Sequence, residues 1–269
     1  MGVARQAVDS SVLEEHSGGV VTLRLNRPEK LNPFNPEMCE ALVQALLRAG
    51  DDRSVRVVVI TGVGRGFCAG GDLDYIRDAR SRKSVHDMQM LLKLGKELCL
   101  AIATMPKMVI AAVNGPAAGG GMSLALACDL RIASERASFT QGFSQIGLYP
   151  DFGATFFLPR LVGLARASEL FYTAEQISAA EACRIGIVCR VCRHDQFEQE
   201  TQELAQGVAA GPPLAFRDVK RTMIGDAHKE LEAALDEENR LQVHCFLTDD
   251  CQEGLAAFFE KRPPKFGGH

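Results

Sequence analysis

The sequence lacks the features that place a chain in a membrane or outside the cell. Its 269 residues contain no run of about 18 apolar residues, so we expect no membrane-spanning helix and no membrane partner. The first residues, MGVARQAVDSSVLEEHSGG, have no apolar signal core. The nine cysteines are an odd count, and most lie in apolar runs where a free thiol behaves as a small hydrophobe. We therefore expect a cytoplasmic chain with reduced thiols.

The chain also lacks the charge and the loops that bind nucleic acids and nucleotides. Its formal net charge of −4 argues against a polyanion-binding surface, so no nucleic-acid partner is expected. No G-x-x-x-x-G-K-[ST] sequence occurs, and GVGRG misses the dinucleotide-binding spacing. Cys189 and Cys192 have C-x-x-C spacing, but no second pair or histidine cluster accompanies them. Their alternation within IVCRVC favours a strand, and no metal site is predicted.

Strands and helices alternate along most of the sequence. Two runs, Val55–Gly62 and Lys107–Gly115, are almost wholly apolar, which is typical of strands buried on both faces. Gly19–Leu25 alternates like a half-buried strand. Helical patterns of ten or more residues separate these strands, so the sequence predicts an α/β fold with crossover connections. The chain divides into an α/β core, residues 1–195, and a purely helical region, residues 196–269, of a kind that often serves assembly.

Two glycine-rich turns each follow one of the buried strands. They are GVGRGFCAGGDL and NGPAAGGGMS. Each alone is explained by tight packing between a strand and a helix. Together they leave backbone N–H groups unencumbered, and Gly119–Gly121 place such donors at a helix N-terminus, where the dipole favours negative charge. Two converging donors would form an oxyanion hole for a carbonyl oxygen that becomes an anion.

The motifs FCAGGDL and NGPAAGGGMSLALACDLRIAS, about fifty residues apart, resemble the crotonase, or enoyl-CoA hydratase/isomerase, family. The likeness extends to LNRPEKLNPFN near the start, to IGLYPDFGATFFLPRLVGLARASEL in the middle and to FFEKRPPKF at the end. The family implies a core of ββα spiral turns and acyl-coenzyme A thioesters as substrates. It also implies that residues 196–269 build trimers, commonly paired into hexamers. Coenzyme A is then part of the substrate, and no separate cofactor is expected.

The resemblance also assigns residues to thioester binding. It implies the backbone N–H groups of Ala69 and Gly120 as oxyanion donors, with the thioester oxygen between them. Lys30 would meet a phosphate on the adenine side, with a solvated surface charge as the alternative for any lone lysine. Asp72 follows the first turn and would support that loop. The expected substrate-binding residues are Lys30, Leu31, Ala69, Gly70, Gly71, Asp72, Gly119, Ser123, Phe143, Tyr149, Lys265 and Phe266.

The acidic residues differ from the pattern of the family's hydratases. Those enzymes carry two glutamates, at positions where this chain has Ser123 and Phe143. Asp151 instead stands where hydratases usually have glycine, and nearby aromatic residues should desolvate it and raise its pKa. One base is sufficient to shift a double bond. We therefore predict an isomerase with Asp151 as its single proton shuttle, similar to family members that act on ring-epoxide phenylacetyl-CoA.

Four alternatives remain open. Asp151 could cap the helix that begins near Thr155, because Pro-Asp-x-Gly is also turn chemistry. The chain could be a weak hydratase that uses Asp151 with Ser123, or an acyl-CoA binder without catalysis. A role for Asp151 as a dehalogenase nucleophile is disfavoured, because the family's dehalogenases use a tryptophan beside that aspartate and this chain has no Trp.

Overall fold

Two β-sheets organise the computed structural model, which describes residues 11–225 and 227–269. In chain order the strands are β1 (Val12–Ser17), β2 (Val20–Leu25), β3 (Val57–Gly62), β4 (Met108–Val113), β5 (Ala117–Ala118), β6 (Leu130–Ser134), β7 (Ser138–Thr140), β8 (Ile177–Ser178) and β9 (Arg190–Cys192). The larger sheet has the order β1-β2-β3-β4-β6-β9, and every pair in it except the antiparallel β1-β2 pair is parallel. The smaller sheet joins β5, β7 and β8.

Ten α-helices of the described residues connect and cover the strands. In chain order they are α1 (Pro36–Asp51), α2 (Leu73–Ser81), α3 (Val85–Thr104), α4 (Gly120–Ala127), α5 (Ala154–Thr173), α6 (Ala179–Arg184), α7 (Phe197–Ala209), α8 (Pro213–Ile224), α9 (Ala227–Leu247) and α10 (Asp249–Glu260). Short 3-10 helices lie at Pro28–Lys30 and Gly142–Ile146. No helix within the described ranges is long and apolar enough to cross a membrane. The α/β class expected from the sequence is confirmed.

Strand β3 is buried on both faces, as its almost wholly apolar sequence predicted. Val58 and Ile60 belong to the cluster that includes the buried residues of α1 and α3. Val57 and Val59 point to the other face, where Phe197 of α7 packs. Because side chains alternate along a strand, one apolar run supplies both interfaces, and helices cover both faces of the sheet.

The strands differ from the predicted ones mainly at their ends. Strand β3 begins two residues after the predicted Val55, and β4 ends at Val113 rather than Gly115. Strand β1 was not predicted at all. Its sequence, VLEEHS, ends in an exposed, charged half, which is common on edge strands and hides the alternation that marks a half-buried strand.

The helical region of residues 196–269 packs on the α/β core of the same chain. Helix α7 covers the sheet, α9 lies against α3 and α5, and α10 lies against the 3-10 helix at Gly142–Ile146. The approach of α10 is close, because a β-carbon on Gly254 would lie 2.5 Å from the Ile146 carbonyl carbon. This region therefore helps to enclose the cavity described below, whereas its role in assembly stays a prediction.

Candidate active site

The two glycine-rich turns lie against each other beyond the neighbouring parallel strands β3 and β4. The Ala118 amide donates to the Cys68 carbonyl at 2.9 Å and joins the turns directly. A β-carbon on Gly70 would stand 2.8 Å from the Ala118 oxygen, and one on Gly121 would stand 2.2 Å from the Cys68 oxygen. The opposite backbone therefore excludes side chains at both positions.

At this contact the backbone amides of Gly71 and of Gly120, among others, have no hydrogen-bond partner among the described residues. Gly120 is the first residue of α4, so its N–H lies where the helix dipole favours negative charge. The Ala69 amide, which was predicted as a donor, instead donates to the Leu31 carbonyl at 2.9 Å. The structure thus disagrees with that assignment, because the Ala69 N–H is already used.

A cavity of about 470 Å³ opens in front of these amides. The glycine turns form one side of it, and mostly apolar side chains form the rest. Its apolar lining includes Ile76, Met88, Leu91, Phe143, Leu148, Phe152, Phe258 and Phe259. A concave, mainly apolar cavity of this volume with a few convergent polar groups is typical of a small-molecule site.

Asp151 contributes a buried carboxylate to this cavity, with only 7% of its surface exposed. Its Oδ2 accepts a hydrogen bond from Gln242 Nε2 at 3.0 Å. Its Oδ1 has no hydrogen-bond partner among the described residues. Oδ1 lies 3.5 Å from the point where a β-carbon on Gly120 would stand, so the carboxyl lies close to the first residue of α4.

Burial raises the pKa of Asp151 from its usual value of 3.8 to about 7. The hydrogen bond from Gln242 opposes this rise, because it stabilises the ionised form, and the charge of Glu238 adds to it. A carboxyl that titrates near neutrality can both accept and return a proton at ordinary pH. That property is required of a general acid–base group.

The turn that carries Asp151 has an unusual backbone. Phe152 and Gly153 both have positive φ angles, +56° and +78°. The Phe152 ring stacks on Phe34 with centroids 5.1 Å apart. Only a glycine fits beneath this ring, since a β-carbon on Gly95 would lie 2.4 Å from Phe152 Cε2. Packing of the aromatic ring therefore holds a left-handed phenylalanine directly beside the acid.

The interpretation of Asp151 as a helix cap is wrong. Helix α5 begins after its N-cap residue, Gly153, which has no side chain to cap the helix. The cap comes from Glu238 of α9, whose Oε2 accepts from Gly153 N at 2.7 Å. Its Oε1 accepts from Thr155 N at 2.8 Å and from Thr155 Oγ1 at 2.5 Å. The Asp151 side chain is therefore not needed at this helix end.

Sequence reasoning missed Glu238 and Gln242, although a signal for them exists. Both side chains are only 1% exposed. They lie on the buried stripe of α9, whose other members are Leu231, Leu235 and Phe246. Polar residues within an apolar stripe of helical period are unusual, and that break in the pattern marks both positions.

Three predicted acyl-site residues have different places in the structure. Phe143 borders the cavity, and its Cζ lies 3.5 Å from the position of a β-carbon on Gly119. Ser123 is fully buried, does not border the cavity, and donates from Oγ to the Gly119 carbonyl at 3.1 Å. Tyr149 does not border it either, and its backbone N–H donates to Gln242 Oε1 at 2.8 Å. The predictions that Ser123 and Tyr149 contact substrate are therefore not supported within this chain.

Among the residues predicted to bind the nucleotide side of the substrate, the charged ones, Lys30 and Asp72, belong to a group of ion pairs. Lys30, Gly70, Gly71 and Asp72 border the cavity. Lys30 Nζ lies 2.8 Å from Asp74 Oδ2 and 3.8 Å from Asp72 Oδ2. Asp72 is buried, pairs with Arg27 at 2.6 Å, and caps α2 through the Asp74 amide. Asp72 thus supports the loop, as expected.

The predicted tail residues lie elsewhere in this chain. Lys265 is exposed, and its backbone N–H donates to Glu253 Oε1 at 2.8 Å. Neither Lys265 nor Phe266 borders the acyl cavity. Leu31 does not border it either, and its carbonyl accepts a hydrogen bond from the Ala69 amide.

Comparisons with known proteins show the family to which the chain belongs. A family model described as "Enoyl-CoA hydratase/isomerase" matches residues 15–269. A "Probable enoyl-CoA hydratase" of Rhodobacter capsulatus is 42% identical over 255 residues, which cover 94% of this chain and 96% of the relative. The 1,2-epoxyphenylacetyl-CoA isomerase of Escherichia coli is 38% identical over 258 residues, covering 96% and 98% of the two chains.

Solved structures agree as well. The crystal structure of an enoyl-CoA hydratase from Bacillus halodurans matches with a TM-score of 0.88 at 30% identity, covering 92% of this chain and 100% of that chain. The fold expected from the glycine motifs is therefore confirmed. The chain belongs to the enoyl-CoA hydratase/isomerase family and has the crotonase fold.

Proposed function

We propose that this chain is an acyl-CoA isomerase that shifts a carbon–carbon double bond through a thioester enolate. One observation carries the proposal: the buried carboxyl of Asp151, whose Oδ1 has no partner within the described residues, lies close to Gly120 and borders the same cavity as the free Gly120 amide. A base and an oxyanion donor thus face the same small volume. Deprotonation next to a thioester carbonyl needs both.

The proposed step conserves all atoms of the substrate. Asp151 Oδ1 removes a proton from the carbon α to the thioester of a β,γ-unsaturated substrate. The electrons of that C–H bond move toward the carbonyl, whose oxygen becomes anionic. Asp151 then returns the proton to the γ-carbon, and the double bond comes to lie between the α- and β-carbons. Opening of a ring epoxide conjugated to such an enolate is the second reaction that the same base and donors would serve.

The oxyanion donors in this proposal are the N–H groups of Gly71 and Gly120. The Gly71 amide takes the place of the Ala69 amide in the predicted pair of donors, because the Ala69 amide already donates to the Leu31 carbonyl. Gly71 and Gly120 both border the cavity. Each donor of this kind lowers a barrier by roughly 2.7–4 kcal/mol in comparable sites.

Two features favour isomerisation over hydration. Adding water across a conjugated double bond needs one group to activate water and another to deliver a proton. Phe143 and Ser123 occupy the positions of the hydratase glutamates, and the Ser123 hydroxyl is turned to the Gly119 carbonyl. Two other carboxylates among the described residues are buried, those of Glu238 and Asp72. Glu238 has both oxygens committed to Gly153 and Thr155 and does not border the cavity. Asp72 borders the cavity, but its oxygens are held by Arg27 and by the Asp74 amide.

Assembly into a homotrimer or a hexamer belongs to the same proposal. Several large apolar side chains of the helices are exposed in the single chain, led by Tyr172 at 82% and Met223 at 81%. Contacts between copies would cover such side chains. Light scattering of the purified protein tests this, with a monomer as the contrary result.

A panel of acyl-CoA thioesters, with products identified by mass spectrometry, tests the proposed function. The panel contains β,γ-enoyl, α,β-enoyl and epoxyaryl thioesters. We expect the unmodified protein to form products of the same mass as the substrate. In the Asp151→Asn variant the rate of product formation should fall by about 10²–10⁴-fold. Asp78→Asn is the matched control, because Asp78 is an exposed aspartate that pairs with Arg82 on α2. Products heavier by one water would favour a hydratase, and binding without any product would favour a non-catalytic acyl-CoA binder.

A further inference from the structure

Two polar residues of α9, four positions apart, hold the turn that carries Asp151 from both sides. Gln242 and Glu238 are each 1% exposed and face the same turn. Residues at this spacing lie one above the other on a helix face, so a single rigid helix presents both. Neither residue borders the cavity with an ionised group, since Glu238 lies outside it and Gln242 is a neutral amide at its edge.

Gln242 fixes the Asp151 carboxylate through a hydrogen-bond pair of defined direction. Its Oε1 accepts from the Tyr149 backbone N–H at 2.8 Å. A backbone amide is only a donor, so this contact turns the Gln242 NH₂ group toward Asp151. Nε2 then donates to Asp151 Oδ2 at 3.0 Å. One carboxylate oxygen is occupied in this way, and the other, Oδ1, faces Gly120.

Glu238 fixes the opposite side of the same turn. It accepts three hydrogen bonds, from Gly153 N, Thr155 N and Thr155 Oγ1. The chain is thereby tied to α9 two residues before Asp151 and again two and four residues after it. Phe152 and Gly153, whose φ angles are positive, lie inside this span. The hydrogen bonds to α9 therefore hold the strained part of the turn, and Asp151 with it, in place.

We propose that Gln242 and Glu238 are positioning residues that hold Asp151 so that Oδ1, and not Oδ2, is the proton-transferring atom. This inference rests on the proposed function, because it assigns roles around the same base. The two residues also act on the charge of Asp151 in opposite directions. The Gln242 donor stabilises the ionised carboxylate, whereas the nearby Glu238 carboxylate destabilises it.

Two buried thiols also interact with Asp151. Cys39 of α1 and Cys99 of α3 interact electrostatically with Asp151, and burial raises the pKa of both thiols well above the usual value. Both thiols therefore stay neutral over the range in which Asp151 titrates. Opposite changes at Gln242 and Glu238 should accordingly move the Asp151 titration in opposite directions.

The test is the pH profile of deuterium exchange at the carbon α to the thioester, measured in D₂O with saturated acyl-CoA. In Gln242→Glu the acceptor for Tyr149 is kept and the donor to Asp151 becomes an oxygen. We expect the acidic limb to move toward alkaline pH by about one unit or more, because a charge-assisted hydrogen bond is lost and a like charge is gained. Glu238→Gln should move the limb toward acid pH and lower the plateau.

Two controls and one further variant separate positioning from folding. Glu237→Gln changes the exposed neighbour of Glu238, and Gln199→Met changes an exposed glutamine on α7; both should leave the limb in place. Gln242→Met removes both hydrogen bonds without adding charge and should shift the limb in the alkaline direction. Binding of acyl-CoA should persist in every variant.

The outcomes distinguish a failure of the proposed function from a failure of the positioning proposal. If Asp151→Asn exchanges like the unmodified protein, the proposed function falls and this inference falls with it. If Asp151→Asn is inactive but the limbs of the Gln242 and Glu238 variants stay at the original pH, only the inference is overturned. Shifts of opposite sign support it, because a purely structural role would lower the plateau without moving the limb.

Discussion

Asp151 and Gly120 lie close together in the wall of the cavity, with Asp151 Oδ1 3.5 Å from the point at which a β-carbon on Gly120 would stand. The Gly120 amide heads α4 and has no partner within the described ranges. A thioester oxygen held by this amide would bring its α-carbon next to the Asp151 carboxylate. The proposed chemistry depends on this one pair.

Gly120→Ala should separate activity from stability. The added methyl group would meet its nearest atoms at 3.5 Å or more, which is ordinary contact, and Gly120 has no positive φ that only glycine tolerates. The protein should therefore fold. The methyl group would stand against Asp151 Oδ1 and the Phe152 ring, so it should disturb the position of the acid and lower the rate of isomerisation by about 100-fold. Thermal unfolding and product formation are measured side by side.

Gly207→Ala is the matched control for that variant. Gly207 lies within α7, where a β-carbon would meet nothing within 4 Å. It should stabilise the protein by about 0.5–1 kcal/mol and leave the rate unchanged. Equal rates for the two glycine variants would show that the space beside Gly120 is not used by the substrate.

Asp151→Asn should gain stability relative to the unmodified protein as pH rises. The folded-state pKa of Asp151, about 7, is above that of an unfolded aspartate, so the folded chain holds a proton that the unfolded chain releases. This contribution to stability is present below pH 4 and is lost as pH rises through about 7. Urea unfolding at pH 5 and pH 8 should show a relative change of at most about 3 kcal/mol, because about two pH units of the window lie between these values. A difference that stays constant with pH would contradict the raised pKa.

Gly95→Ala should disturb the site from behind the Phe152 ring. The new β-carbon would lie 2.4 Å from Phe152 Cε2, so the ring or helix α3 must move. Overpacking of this kind costs about 1–3 kcal/mol, and displacement of Phe152 would also shift the adjacent Asp151. We expect lower stability and a lower exchange rate together. In the control, Gly50→Ala, the nearest atom would be 3.9 Å away, and neither quantity should fall.

Phe143→Glu should add hydration to the products. The Phe143 ring stands beside Gly119 at the mouth of the acyl cavity, and a carboxylate there would supply the second group that water addition needs. The hydrated fraction from an α,β-enoyl-CoA should rise by about tenfold or more. Phe143→Leu changes the size of the side chain without adding an acid. A similar rise in both variants would mean that space, and not acid–base chemistry, limits water addition.

Much of the fold could be predicted because its central strands carry their own signal. Strand β3 lies between two helix layers, so its first four residues are all apolar and β-branched, and the run is visible without tertiary information. Strand β1 lies at a sheet edge with charged residues outward, and its pairing with β2 is what makes it a strand. Edge strands of this kind are set by their neighbours more than by their own sequence.

The candidate site could be predicted only where its residues are local. Asp151 and Gly120 stand out within short motifs, whereas Glu238 and Gln242 reach the same turn from 85 and 91 residues away in the sequence. The choice between the Ala69 and Gly71 amides depends on which of them pairs with the Leu31 carbonyl, a register that the motif does not encode.

Deuterium incorporation at the α-carbon of an acyl-CoA in D₂O tests the central claim most directly, since it needs only the base and the oxyanion donors. The unmodified protein should incorporate deuterium with a rate that rises through about pH 7, and Asp151→Asn should lose it while still binding the thioester. Incorporation at an undiminished rate in Asp151→Asn would contradict the assignment of the base.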